Sequence, residues 1–421
     1  MSRLVVMCVD SLFTSDIEEI KKLKGFGTIL EKAAIYEHIK CIYPTLTYPC
    51  HSSIITGCLP NKHGICHNEK LDPITNNQNW YWDYKDIKVD TLFTHAKKAG
   101  LKVASVQWPV SANAPVDYLI PEIWPCKYQK DMSDYLIENG TESVKDIVKK
   151  HAHLLDWKEN PNFDNFSVTC AVDIIHQFKP DVLFMHQAHL DHIRHVHGVH
   201  AIEVQDALRY HDKWIQKIIT ALQEENLFED THFIILGDHG QMQVDYNICP
   251  NVLLEKEGFI TVNEQDNIKD WQAYIQSCGI SAQVFIKNKD SNVITKIEEI
   301  MQSLQNLGYV RDILTKQQVE ELYGLTGEFS YVLEASPNYA FGNTATGNLI
   351  VETDTSDYKF SVATHGHRPE RGDKPCFIVR SEKIAPGRYS NARLIDEMPT
   401  MLKLLDIPFD KTQIDGKELF L

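Results

Sequence analysis

Thr47 stands two residues ahead of Pro49 in the run Y-P-T-L-T-Y-P-C-H-S-S-I-I-T-G that ends at Gly57. Proline suits the first turn of a helix, where its missing amide hydrogen has no intrahelical acceptor and its fixed φ is already right. The run therefore predicts a helix that starts near Pro49, reaches Thr56 and stops at Gly57, with the Thr47 hydroxyl at its N-terminus. Free amides and partial positive charge at that end favour an alkoxide and phosphate oxygens. Taken alone, a threonine in this place is an ordinary helix cap. Four further stretches add a second chemistry: Asp10 after the first apolar run, D-H-I-R-H-V-H-G at 191–198, G-D-H-G at 237–240, and T-H-G-H at 364–367. They hold carboxylates and imidazoles in the number that two divalent metals require.

The elements that must position these groups read as an α/β protein. Residues 3–9 form a continuous apolar run, the mark of a parallel strand buried on both faces, and Asp10 follows at its C-terminal end. Ligands in open α/β sheets collect at that edge, so a carboxylate there is either a helix cap or a metal ligand. Further strands are expected at 34–42, 102–107, 181–186, 232–236 and 375–380. Helices are expected at 91–99, through much of 130–178, at 201–224 and at 394–404. Asp191 and His195, four apart, share a helix or turn face and can reach one ion. Asp238 and His239 are adjacent and would point to opposite faces of a strand, so both serve one site only where the strand ends in a loop, which Gly237 and Gly240 permit.

The order Asp, Thr, Asp-x-x-x-His-x-x-Gly, Asp-His-Gly, His-Gly resembles the nucleotide pyrophosphatase/phosphodiesterase branch of the alkaline phosphatase superfamily. P-T-L-T-Y-P-C-H at 44–51 and H-G-I-C-H-N-E-K-L-D-P at 63–73 match two of its motifs, and the likeness runs from about residue 4 to 380. The resemblance implies an alkaline-phosphatase-like core, a mostly parallel sheet sandwiched by helices, at 1–248 and 359–421. A smaller α+β insertion at 249–358 would cover the active site from one side. It further implies two divalent ions, zinc being the expected metal: one held by Asp191, His195 and His365, the other by Asp10, Asp238, His239 and the Thr47 oxygen. Thr47 would be the nucleophile of a phospho-threonine intermediate, and Asn68 would donate to a phosphate oxygen. Without the family, Asn68 reads as a turn-forming residue.

Substrate contacts are expected from Tyr48, a family aromatic that stacks on a base, and from Trp108 and Trp124, for which core packing is the alternative. Arg368, in H-G-H-R-P-E-R-G, departs from the family pattern and is a further candidate. The implied substrate is a small-molecule phosphodiester or nucleotide pyrophosphate. Alternatives are a carbon–phosphorus hydrolase resembling phosphonoacetate hydrolase, with Lys127, Lys130 or Arg368 for the carboxylate, and a phosphomonoesterase or phospholipid-headgroup diesterase. A non-catalytic relative would be expected to lack the nucleophile or several ligands, and this chain keeps all of them.

Composition bounds these readings. A hydrophobic fraction of 43% and a charged fraction of 24% belong to a globular protein. A formal net charge of −16 with no dense basic run argues against a nucleic-acid groove held by phosphate contacts. The ten cysteines are scattered without a C-x-x-C pair and read as reduced thiols. No apolar leader or spanning stretch is evident, so no membrane partner and a cytoplasmic location are expected. Oligomeric state is not legible.

Overall fold

The computed structural model describes residues 3–75, 79–124, 130–155, 161–355 and 361–419. Its centre is an eight-stranded sheet in the order Gly387–Tyr389, Ala33–Tyr36, Phe377–Arg380, Thr231–Leu236, Arg3–Val9, Val182–Gln187, Val103–Val106, Tyr118–Ile120. All neighbouring pairs are parallel except those made by Phe377–Arg380, which runs antiparallel to both partners.

The apolar run of Arg3–Val9 is explained by its position. Val5, Met7 and Val9 enter the core on one face of the sheet, and Leu4, Val6 and Cys8 enter the core on the other. A strand covered on both sides has no use for a polar alternation. On the first face the helices Asn162–Phe178 and Glu203–Glu224 bury Phe166, Ile174, Trp214 and Ile218. On the second, Thr47–Thr56, Leu92–Lys98 and Glu397–Leu404 bury Ile54, Phe93 and Met401. The result is three layers, with helix stripes closing both sides of the sheet.

Register brings the C-terminal ends of three central strands to one level. Cys8 pairs with both His186 and Leu236, so Asp10, the segment after Gln187 and Gly237–Asp238 emerge together. Gly237 is required there, because a Cβ would collide with the Leu12 carbonyl.

One sequence expectation changes. The strand expected at 34–42 ends at Tyr36, since His38 takes a left-handed φ of 54° and breaks the ladder, although Ile39, Cys41 and Ile42 remain buried. Just ahead of the insertion expected at 249–358, Met242–Ile248 pairs with Asn338–Phe341 and Ile350–Glu352 in a separate sheet. A second sheet in the same stretch orders Ala273–Ser277, Ser281–Ile286, Tyr331–Ala335 and Val310–Thr315. The expected boundary at 358–359 lies outside the described residues, as do Lys127 and Cys126. The nine cysteines among the described residues are all thiols. No helix among the described residues is long and apolar enough to cross a membrane.

Candidate active site

The helix Thr47–Thr56 begins two residues earlier than the proline suggested, so Pro49 is its third residue. The placement costs nothing, because the first four helical amides have no intrahelical acceptor. Gly57 closes the helix at φ 64° as expected. Thr47 thus lies in the first turn, and its Oγ1 is 3.1 Å from Nε2 of His239.

Around that hydroxyl the acidic and imidazole groups converge. Asp10, Asp238 and His239 bring one ligand atom each to within 4.8 Å of one another, and so do Asp191, His239 and His365. His239 is therefore common to both groups, where the sequence assigned it to one. Its Nε2 is 3.2 Å from Oδ2 of Asp238 and 3.5 Å from Oδ1 of Asp10. The His239 and His365 rings stack at 4.1 Å. His195 reaches the second group through Asp191, its Nε2 being 3.1 Å from Oδ2. Its Nδ1 is 2.6 Å from the Ala363 carbonyl, and its Nε2 is turned toward Asp191. Asp191 and His195 share one face of the helix His189–His197.

Burial and mutual charge set the electrostatics of the site. Burial, then the charge of Asp191, pushes the Asp10 carboxyl up to about 7. Burial and Asp10 raise Asp238 well above the usual carboxylate range. Burial and its imidazole neighbour His365 hold His239 well below the ordinary histidine value, and burial takes His365 down to about 3. Asp10 Oδ1 and Asp238 Oδ2 are buried with no hydrogen-bond donor. Neutral imidazoles and bare carboxylate lone pairs at one point are the donor set a divalent ion satisfies, and leaving such oxygens unpaired is otherwise costly.

Several supporting residues gave no signal in the sequence. Ser11, at a left-handed φ of 59°, donates its backbone N–H to Asp238 (3.1 Å) and its hydroxyl to Asp191 Oδ1 (2.9 Å). Gln241 donates its side-chain amide to the same Asp191 oxygen. His51 places Nδ1 2.8 Å from the Thr47 carbonyl. Arg194, between Asp191 and His195 on their helix, is buried against Asp16 at 2.7 and 2.8 Å. Adjacency to Asp10 or His195 was the sole available hint for Ser11 and Arg194, and many residues have such a neighbour.

Asn68 accepts the Tyr48 backbone N–H on Oδ1 at 3.0 Å, so the other end of its amide is the donor end. The residues expected to contact substrate lie as follows. Trp108 is fully buried, edge-on to Phe184 of the central sheet and to His51 of the helix Thr47–Thr56, as core packing requires. Tyr48 is likewise enclosed; its ring lies 5.1 Å from that of Trp80 and its hydroxyl donates to Glu122 at 3.0 Å, so it offers no open stacking face. Trp124, half-buried, donates Nε1 to the same Glu122 oxygen at 2.9 Å. The Arg368 guanidinium is engaged by Asp312 at 2.9 Å and the Tyr323 hydroxyl at 2.8 Å. Lys130 pairs with Glu138. Of the three basic groups considered for a phosphonate carboxylate, these two have acidic partners and Lys127 lies outside the described residues.

The stretch around Ile280 supports the backbone of His365. Ile280 donates its N–H to the His365 carbonyl at 2.9 Å, and Ser281 Oγ donates to the Gly366 carbonyl at 2.6 Å.

Comparison with known proteins agrees with this geometry. The family model described as type I phosphodiesterase/nucleotide pyrophosphatase matches residues 4–367. Human ectonucleotide pyrophosphatase/phosphodiesterase family member 1 is 26% identical over 235 residues, 53% of this chain and 21% of that protein. Bovine family member 3 is 26% identical over 253 residues, 59% of this chain and 24% of that protein. The chain therefore aligns with about a quarter or less of the length of these curated relatives. Among solved structures, an inactive variant of murine ectonucleotide pyrophosphatase/phosphodiesterase 5 in complex with AMP superposes with a TM-score of 0.66 at 15% identity, covering 97% of this chain and 96% of that one. The human protein 5 gives 0.64 at 17% identity over 97% and 96%. At those identities the likeness establishes the fold, an α/β architecture shared by both. With the family model spanning most of the sheet, Thr47 and every converging carboxylate and imidazole, the chain belongs to the type I phosphodiesterase/nucleotide pyrophosphatase family.

Proposed function

We propose that this protein hydrolyses phosphodiester or phosphoanhydride bonds of a small nucleotide-like substrate, with Thr47 as nucleophile. The observation that carries the reading is the convergence of the Asp10–Asp238–His239 and Asp191–His239–His365 groups beside the Thr47 hydroxyl. Asp191, His195 and His365 would hold one divalent ion and Asp10, Asp238 and His239 the other, a nitrogen-and-carboxylate set suited to zinc. Two such ions, when bound, supply the positive charge that lowers the pKa of a threonine hydroxyl and offsets charge on a phosphoryl group.

The chain's own residues do the rest. Thr47 Oγ1 attacks phosphorus in line, the new P–O bond forms as the bond to the leaving oxygen breaks, and the phosphoryl group is carried as a threonine ester. Water then cleaves that ester from the opposite direction and restores the hydroxyl. The donor end of Asn68 would stabilise the developing charge on a non-bridging oxygen, a role supported by its own oxygen being taken by Tyr48 N–H. The free amides of the first helical turn favour the same anion. The AMP complex of the murine relative supports a nucleotide as the leaving or retained group.

A side-by-side rate comparison on p-nitrophenyl thymidine monophosphate, p-nitrophenyl phosphate and phosphonoacetate, with zinc present, tests the proposal. Preference for the first is expected. Turnover confined to the third would replace the diesterase reading with carbon–phosphorus bond hydrolysis.

A further inference from the structure

Behind Asp10 lies a buried chain of acid–base contacts that the proposed reaction does not use. His186, on the strand Val182–Gln187, places Nε2 3.1 Å from Asp10 Oδ2 and Nδ1 2.7 Å from Glu122 Oε2. The other Glu122 oxygen accepts the Tyr48 hydroxyl at 3.0 Å and Trp124 Nε1 at 2.9 Å. His186, Glu122 and Asp10 are each 2% exposed, so water cannot take over these contacts. The chain therefore runs from Asp10, through one imidazole and one carboxylate, to the residue next to the nucleophile.

The arrangement has a directional consequence. His186 occupies Oδ2 of Asp10 and leaves Oδ1, buried and without a donor, turned to the side where Asp238 and His239 sit. Ligating carboxylates held by an outer partner bind with the correct oxygen forward, and loss of such a partner typically weakens metal binding. We infer that His186 and Glu122 are positioning residues that set the affinity of the Asp10–Asp238–His239 site and tie it to the Thr47 helix through Tyr48. The inference rests on the two-ion reading above.

Zinc binding by competition with a chromogenic chelator, together with kcat and KM on p-nitrophenyl thymidine monophosphate, tests it on wild type, His186→Gln, Glu122→Ala and Glu122→Gln. Wild type should show two zinc sites. In His186→Gln and Glu122→Ala one site should weaken about 10- to 100-fold while the other stays within about twofold, and kcat should fall with little change in KM. Glu122→Gln should recover much of the loss, because its amide oxygen can accept from Tyr48 and Trp124 while its amide nitrogen donates to His186 Nδ1. Circular dichroism checks folding; should Glu122→Ala not fold, the two glutamine variants decide. Folded variants that keep both affinities, or lose both sites equally, overturn the inference alone. A wild type that binds no zinc overturns the two-ion reading first.

Discussion

Thr47 Oγ1 lies 3.1 Å from His239 Nε2, and the same imidazole belongs to both acidic groups of the site. One ring thereby links the hydroxyl to carboxylates that leave the sheet from three different strands or the helix behind them. The hydroxyl thus touches the imidazole that the two groups share.

Removing that hydroxyl should separate chemistry from metal binding. Thr47→Ala is expected to lose about a thousand-fold or more in kcat while keeping its zinc, and Thr47→Ser to retain measurable turnover. Parallel assays of rate and metal content check this; an alanine variant at near-normal rate would show that another atom attacks phosphorus.

The loop that carries His365 depends on a glycine. Gly366 has φ 86°, and a Cβ there would meet the Cys278 carbonyl of the inserted segment. Gly366→Ala should cost about 1–3 kcal/mol of stability and loosen zinc at the Asp191–His195–His365 site. Thermal unfolding with and without zinc measures both, and an unchanged midpoint would mean that the loop adapts.

Arg194 braces the helix His189–His197 from within. Its guanidinium is buried on Asp16 and lies 3.8 Å from the centre of the Phe13 ring. Arg194→Leu leaves the Asp16 carboxylate without its cation, a change expected to cost about 3–5 kcal/mol. Urea denaturation would register it as a lower midpoint at similar slope, and a shift below about 1 kcal/mol would show that Asp16 finds other partners.

A pH dependence follows from Asp164, which is buried and accepts the Ala188 N–H at 2.9 Å. Burial pushes its carboxyl up to about 7 from an ordinary 3.8. Between those values the folded chain holds the extra proton, so this residue's contribution to stability falls as pH rises through about 7. Asp164→Asn cannot ionise and should gain stability relative to wild type between pH 5 and pH 8. Melting curves at the two pH values decide; a constant difference would place the group at its ordinary pKa.

Much of this fold can be read from apolar runs, since a strand buried on both faces must be apolar throughout, as Arg3–Val9 is. The same signal overextended the strand after Ala33, because Ile39, Cys41 and Ile42 are buried without being paired. Apolar composition reports burial, and the left-handed turn at His38 leaves no comparable mark. Within the site, Asp10, Asp191, Asp238 and the histidines stand in recognisable short motifs. Ser11, Glu122 and Gln241 do not, because their contacts exist only once distant segments meet. Trp108 left two readings open for a related reason: a tryptophan that lines a pocket and one that fills a core have the same neighbours in sequence.

The central claim is a threonine ester formed and then cleaved at one phosphorus atom. Its most direct test is the stereochemical course of hydrolysis of a chiral phosphorothioate diester in isotopically labelled water. Two successive in-line displacements invert phosphorus twice, so the account predicts net retention. Net inversion would mean that water attacks the substrate directly and that Thr47 never bonds to phosphorus.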